Sequence, residues 1–424
     1  MNAVADKTWF GQPRGLTILF LTQMWEMFSY YGMRTLLVYY MTKQLLFAQD
    51  KASFIYGTYT AMAYFTPILG GAIADRWLGK RNAVVIGGSI MAIGHFVMAF
   101  EPMFYVALAT IALGNGLFLP SLPSQINDLY AADDPRRGRA YNVYYVGLNV
   151  GGLLAPLVCG TLGELYGWHY GFGAAGVGMF LGLVIYLAGR RYLPEEPRRP
   201  MPPVAAVQDA RADHRRIWGL LLGVGIAATI FRGAYEQIGN TLPLWIDTGV
   251  DRVLLGFTIP MTWFQSLNPL LVISMTPLLL MAWRRRADRG GETSPAMRMA
   301  IGALVVAVAY VLLAVVTALA GDARVGWAWL VAFFVILTFG ELYILPTGLG
   351  LFAKLAPPRL GATTVASWFL AIFSGSLLAG VVGMLWSKVG HPAFFLLLAG
   401  LAVAAAALLW RLDRPIRALP RSDR

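Results

Sequence analysis

The chain has 424 residues, of which 58% are apolar and only 13% are charged, and its formal net charge at pH 7 is +12. Soluble domains carry about 25% charged residues, and a chain with so few could not cover a soluble surface. The composition therefore excludes a cytosolic globular enzyme and a disordered chain, and a single cysteine excludes a disulfide scaffold. What remains is a membrane protein with several spans.

Apolar runs of about 20 residues, enough to cross a bilayer as a helix, recur along the whole chain. The twelve predicted spans are 15–41, 53–74, 82–100, 103–127, 140–163, 171–192, 216–241, 257–283, 297–320, 326–348, 361–387 and 391–411. We predict an all-α membrane protein with an N-terminal six-helix bundle in 1–193, a cytoplasmic linker in 194–215 and a C-terminal six-helix bundle with a basic tail in 216–424. Six plus six transmembrane helices around a basic middle loop is the layout of the major facilitator fold.

The Lys and Arg residues orient the chain. Almost all of the 34 fall in segments that share one side of the membrane with both termini, and the exceptions on the other side are Lys43, Lys51, Arg252, Arg324 and Lys388. Basic loops stay in the cytoplasm. The pattern predicts a multi-pass protein of the bacterial inner (plasma) membrane with both termini cytoplasmic, and it argues against nucleic acid as a partner.

No catalytic or metal-ligating cluster stands out in the sequence. The four histidines are scattered, and the pattern G-x-G-x-x-G at Gly171–Gly176 opens an apolar run rather than following a strand. That setting favours close helix packing over dinucleotide binding. We therefore expect neither an enzyme nor a cofactor nor a bound metal.

A charged turn between spans two and three resembles the signature loop of the major facilitator superfamily. Its conformational motif consists of Gly71, Asp75, Arg76, Gly79, Lys80 and Arg81. Such a turn can cap helix ends and pair with neighbouring helices in one transport state. The alternative interpretation is a turn that only sets topology.

Ionisable side chains inside spans are costly and indicate function. They are Glu26, Arg34, Arg232, Glu236 and Glu341, whereas Glu164 lies near a span end and can reach interfacial water. Arg232 and Glu236 are four residues apart and share a helix face, so they can pair. The alternative is a purely structural ion pair.

Two opposite charges predict an amphoteric solute. Arg34 can hold a carboxylate through two hydrogen bonds, and Glu341 can hold an ammonium group. Other polar and aromatic residues can complete a binding site: Tyr30, Tyr31, Tyr64, Asn149, Arg232, Gln265, Asn268 and Trp368.

The motifs resemble those of the proton-dependent oligopeptide transporter (POT) family. Span one reads Gln23-Met24-Trp25-Glu26-Met27-Phe28-Ser29-Tyr30-Tyr31-Gly32 followed by Arg34, similar to the family's E-x-x-E-R-F-x-Y-Y-G, and Asn149, Glu236, Asn268, Glu341 and Trp368 fall in further matching motifs. The resemblance implies that Arg34 binds a peptide carboxylate and Glu341 its amino terminus. It also implies that Glu236 is a protonatable gate, and we add Glu26 as a second residue for proton coupling.

The chain departs from the family pattern in four places. Gln23 and Met27 replace a Glu and an Arg, Leu119 replaces a Lys, and Arg232 stands where relatives often have an aromatic residue. Losing one partner of a buried charge set would be costly, but losing three together avoids that penalty. The proton coupling usual in the family is therefore open to question.

We predict a monomeric secondary transporter that takes up small peptides or peptide-like zwitterions by alternating access, with protons as the driving ion and the lipid bilayer as its surroundings. One alternative is a proton-independent facilitator or exporter of a modified or cyclic peptide, or of another amphipathic metabolite. It would exchange ligand without pH dependence. The other is a receptor or assembly protein that binds ligand without moving it.

Overall fold

The computed structural model describes residues 8–9, 11–130, 134, 136–194, 211–291, 293–355 and 361–418. The helices are α1 (Arg14–Lys43), α2 (Gln49–Ile73), α3 (Lys80–Val97), α4 (Phe104–Ser124), α5 (Arg137–Ala155), α6 (Thr161–Leu165), α7 (Trp168–Gly189), α8 (Arg211–Tyr235), α9 (Leu242–Gly249), α10 (Leu267–Asp288), α11 (Pro295–Ala320), α12 (Trp327–Leu355), α13 (Gly361–Gly383) and α14 (His391–Arg417). A π-helical turn at Pro156–Gly160 joins α5 to α6, and a 3₁₀-helical turn at Glu236–Ile238 lengthens α8. Two turns of 3₁₀-helix at Met261–Ser266 lead into α10.

Among the described residues, strands are confined to three two-residue pairs. β1 (Thr8–Trp9) pairs antiparallel with β2 (Gln12–Pro13), and β4 (Val253–Leu254) pairs antiparallel with β5 (Phe257–Thr258). β3 (Val250–Asp251) pairs in parallel with β6 (Val325–Gly326), so it joins the loop after α9 to the loop before α12. These pairs lie at helix ends and add no sheet to the core.

Helices α1–α7 pack on one another as one bundle, and α8–α14 pack as a second. Between the bundles, α2 packs against α13, α5 against α10 and α1 against α9. Within the described residues, nine helical segments are long and apolar enough to cross a membrane. The arrangement is the major facilitator fold, as the sequence predicts.

Glycines allow the closest helix crossings. A Cβ on Gly70 of α2 would lie 2.1 Å from the carbonyl oxygen of Gly116 in α4, within the first bundle. A Cβ on Gly57 of α2 would lie 2.4 Å from the Cα of Gly380 in α13, across the two bundles. Backbones approach this closely in a membrane only where side chains are absent.

Helical structure covers the twelve predicted spans, and the differences lie at their edges. Helix α8 begins at Arg211, inside the predicted linker, and the rest of that linker (195–210) lies outside the described residues. The span predicted at 257–283 begins instead with β5 and becomes helical at Met261. Gly79 ends the turn after α2 with a φ of +76°, a conformation that costs glycine little.

Candidate functional site

A cavity of about 680 Å³ lies between the two bundles. Its walls come from α1, α2, α4 and α5 on one side and from α8, α10 and α12 on the other. It runs from Arg34 and Glu236 to Pro123, Tyr141 and Trp283, where α4 and α10 end and α5 begins. We call that extremity of the molecule the open end. The opposite extremity, around Glu164, Asp247 and Met261, is the closed end.

Arg34, Glu236 and Arg232 form a buried triad in the cavity wall. Each oxygen of the Glu236 carboxylate makes an ion pair with a different guanidinium, Oε2 with Arg34 and Oε1 with Arg232. All three side chains are at least nine-tenths buried. Arg34 belongs to α1 of the first bundle and Glu236 follows α8 of the second, so the triad bridges the bundles.

Two tyrosines of α2 support the triad. The Arg34 Nε donates to the Tyr56 hydroxyl at 2.7 Å, and that hydroxyl donates to Glu236 Oε2 at 3.2 Å. Arg232 Nη2 donates to the Tyr64 hydroxyl at 2.9 Å. Tyr56 is not among the site residues that the sequence predicts. Its signal is the spacing of eight residues from Tyr64, about two helical turns, which places both on one face of α2.

Glu341 forms the acidic pole of the cavity. It lies on α12, one turn before Pro346, and is buried. Its carboxylate accepts a hydrogen bond from Asn268 Nδ2 at 2.6 Å and one from the Tyr235 hydroxyl, and Asn268 Nδ2 also contacts Thr338 Oγ1 at 3.1 Å. These neutral donors hold the carboxylate in place. Among the described residues, none forms an ion pair with Glu341.

The structure brings most predicted binding residues to the cavity wall. Those on the wall are Tyr31, Arg34, Tyr64, Asn149, Arg232, Gln265, Asn268 and Glu341. Gln265 reaches α1 across the bundles, at 3.3 Å from Thr35 Oγ1 to Gln265 Oε1.

Two predicted binding residues lie away from the wall that the described residues form. Tyr30 is buried in the first bundle, edge-on to Tyr31 at 5.4 Å between ring centroids. Trp368 packs against Phe352 at 5.2 Å in the core of the second bundle. Neighbouring helices cover their helix faces, which a sequence pattern alone does not reveal.

Glu26 is buried in α1 away from the cavity wall. Its Oε2 accepts from Gln23 Nε2 at 2.7 Å, and the Tyr144 hydroxyl in turn donates to Gln23 Oε1. Among the described residues, Glu26 Oε1 has no hydrogen-bond partner. A neutral network therefore surrounds this carboxyl group where the family pattern has charged residues.

The predicted conformational motif lies at the open end. Lys80 Nζ binds Asp128 Oδ2 at 2.8 Å, and Arg81 Nη2 donates to the carbonyl oxygens of Arg190 and Leu193 at 2.8 and 2.6 Å. Asp75 and Arg76 are exposed, and the position of Gly71 leaves ordinary contact distance to Pro120. These contacts of Lys80 and Arg81 lie within the first bundle.

The sequence model of the POT family matches residues 81–210 and 204–397. This chain belongs to the POT family. It is 31% identical to the uncharacterized transporter YclF of Bacillus subtilis (strain 168), over 98% of this chain and 97% of the relative. It is 29% identical to a di-/tripeptide transporter of Lactococcus lactis subsp. cremoris, over 97% of each chain.

A solved structure supports the same membership of the POT family. The crystal structure of a mutant peptide transporter POT in complex with alafosfalin matches this chain with a TM-score of 0.88 and 29% sequence identity, over 97% of each chain. The family resemblance drawn from the sequence motifs is confirmed.

Proposed function

We propose that this chain is a secondary active transporter that takes up small peptides or peptide-like zwitterions by alternating access, driven by protons. The observation that carries the proposal is the pair of opposite poles in one cavity. The triad around Arg34 and Arg232 carries a net positive charge when Glu236 is ionised, and Glu341 supplies a negative charge when it is ionised. The relatives named as di-/tripeptide transporters support the same solute class.

A zwitterionic peptide satisfies both poles at once. Its carboxylate binds the guanidinium of Arg34, for which paired N–H groups give a charge-assisted contact. Its ammonium group binds Glu341 on the other bundle. A bound peptide therefore replaces contacts between the bundles, and this links occupancy of the cavity to their relative motion.

Glu236 is the proposed proton carrier. In its ionised form it holds Arg34 across the bundles. When it takes a proton it loses the charge that attracts both guanidiniums, and Arg34 becomes free for the substrate carboxylate. Glu26, a second buried carboxyl group with no charged partner among its described contacts, is proposed as an additional gating residue.

We assign the open end to the cytoplasm. Both α1 and α5 start there and α14 ends there, so the end carries the basic residues that stay inside under the positive-inside rule. The structure then corresponds to an inward-open state of a monomer in the bacterial inner membrane. The conformational motif, whose Lys80 and Arg81 begin α3 and bind Asp128, Arg190 and Leu193, holds the first bundle together at this end.

Uptake of radiolabelled Ala-Ala into liposomes with an acidic exterior tests the proposal. We expect Arg34→Lys and Glu341→Gln to lose most uptake. We expect Glu236→Gln to lose accumulation against a gradient while it still exchanges peptide. The exposed Glu101→Gln and Arg324→Lys are matched controls and should transport normally.

Intact uptake in both Arg34→Lys and Glu341→Gln would refute the two-pole binding model. Accumulation unaffected by Glu236→Gln would remove that residue from the coupling step.

A further inference from the structure

Two arginines face a single carboxylate in the triad. Among the charged residues on the described cavity wall, Arg34 and Arg232 are the cations, and Glu236 is the anion that serves both. A neutral zwitterionic peptide brings one carboxylate for two guanidiniums. Such a substrate therefore leaves one of the two guanidiniums without a carboxylate of its own.

Arg232 has hydrogen-bond donors that its described contacts do not use. Its described contacts with Glu236 and the Tyr64 hydroxyl both use Nη2. Its Nε is buried and has no hydrogen-bond partner among the described residues. A guanidinium carries five N–H donors, so the group can donate to a further carboxylate. A buried donor without a partner is costly, which favours a ligand that supplies one.

The two guanidiniums are close enough for one small ligand. A single carboxylate, that of Glu236, contacts both, so they lie on either side of a group only a few ångströms wide. In a peptide that ends in Asp or Glu, the main-chain and side-chain carboxylates belong to one residue. Such a residue can place one carboxylate on each guanidinium once Glu236 is protonated.

The net charge of the cavity wall also favours an acidic peptide. With Glu236 protonated, the described wall carries two positive charges and one negative charge, that of Glu341. A neutral peptide leaves one positive charge unbalanced in a buried site, whereas a peptide of net charge −1 neutralises it. Uncompensated buried charge is costly.

We propose that the cavity favours peptides with an acidic C-terminal residue, and that Arg232 selects them by binding the side-chain carboxylate while Arg34 binds the main-chain carboxylate. This inference rests on the proposed peptide transport and names a substrate class for the same cavity. Arg232 is thus a specificity-determining residue.

Competition between isosteric peptides tests this inference. Ala-Glu and Ala-Gln have the same shape and differ in one charge, and both compete against labelled Ala-Ala in liposomes. We expect Ala-Glu to compete about tenfold better in the natural protein, because a charge-assisted hydrogen bond exceeds a neutral one by about that factor. In Arg232→Gln we expect the two peptides to compete equally, and in Arg232→Lys we expect part of the preference to return.

The ratio of the two peptides separates selection from a merely structural role, since misfolding would weaken both equally. Arg324→Gln is the matched control and should keep the preference. If the Arg232→Gln protein does not fold, the Arg232→Lys ratio alone decides, and a preference for Ala-Glu as large as in the natural protein would overturn the inference.

Different experimental results would refute the acidic preference and the peptide transport on which it rests. Equal competition by Ala-Glu and Ala-Gln in the natural protein, or a preference that survives Arg232→Gln, would overturn the acidic preference and leave peptide transport standing. Absence of any uptake of labelled Ala-Ala by the natural protein would refute peptide transport itself.

Discussion

The two ends of the molecule differ in which partners their polar contacts join. At the closed end, hydrogen bonds and ion pairs run from one bundle to the other. At the open end, the described ion pairs join residues of the same bundle. The described contacts at the closed end therefore join the two bundles, while the described ion pairs at the open end hold each bundle together.

The contact of Glu164 with the second bundle is the clearest of the closed-end ties. Its carboxylate accepts from the backbone N–H groups of Met261 and Thr262 at 3.0 and 2.8 Å. These N–H groups begin the helical segment that continues as α10, so Glu164 of one bundle caps a helix of the other. Asp247 of the second bundle adds contacts to α1, with Lys43 Nζ at 2.9 Å and the Tyr39 hydroxyl at 2.9 Å.

The open end has a different set of contacts. Lys80 binds Asp128 within the first bundle, and Arg417 binds Asp413 within the second, each at 2.8 Å. The walls that face each other there, with Tyr141 on one side and Trp283 on the other, border the cavity. Changes at this end should therefore alter stability more than the equilibrium between states.

The largest effect should come from the glycine crossing of α2 and α13. Gly57→Leu puts a side chain where the Gly380 backbone lies, and overpacking of this kind costs about 1–3 kcal/mol, which is about 5- to 150-fold in an equilibrium. The two bundles should then stay apart at the closed end, and peptide uptake should fall about tenfold or more. Gly138→Leu is the control, because a Cβ there has no neighbour within 4 Å. Equal loss of uptake in both variants would contradict a specific closure defect.

A smaller effect should follow from removal of the Glu164 cap. Glu164→Ala leaves two backbone N–H groups without their carboxylate, and the equilibrium should shift about tenfold toward opening of the closed end. The readout is the rate at which a thiol reagent labels Asn142→Cys, an exposed position on the cavity wall, which should fall as the open end closes. The native Cys159 is fully buried and should not react.

Glu101→Ala is the matched control for the Glu164 variant. Glu101 also lies toward the closed end, but its hydrogen bond joins Gln44 of the same bundle, at 2.6 Å. A labelling rate that changes as much in Glu101→Ala as in Glu164→Ala would mean that the cap has no special part in closure.

The smallest effect should come from the open end. Asp128→Asn removes the partially exposed pair with Lys80, and such pairs contribute about 0–1 kcal/mol. We expect a slightly lower melting temperature of the purified protein and an unchanged labelling rate at Asn142→Cys. A change of labelling as large as that of Glu164→Ala would remove the distinction between the two ends.

The sequence predicts the spans well because bilayer thickness and backbone hydrogen bonding leave few alternatives to a helix. It also predicts the pairing of Arg232 with Glu236, since four residues separate them on one helix. Contacts between distant helices are harder to predict. The spacing does not reveal that Arg34 reaches Glu236, or that Tyr56 supports both.

The position of Glu164 shows why such contacts escape a sequence pattern. At a span end it is expected to meet water, yet its side chain is only 9% exposed because it caps a helix of the other bundle. Likewise, Tyr30 and Trp368 fit a binding motif but lie behind the cavity wall. Both outcomes depend on how the bundles pack, which no local pattern specifies.

The β4–β5 hairpin is a suitable site for a fused domain in a protein whose described helices lie mostly in the bilayer. Its two-residue tip has Leu255 fully exposed and positive φ angles at Leu255 and Gly256, the backbone geometry of a tight type I′ turn. Reciprocal hydrogen bonds between Arg252 and Ile259 at 3.0 Å close its base. A rigid domain fused at this tip would stand outside the detergent micelle and give electron cryomicroscopy an asymmetric marker for image alignment.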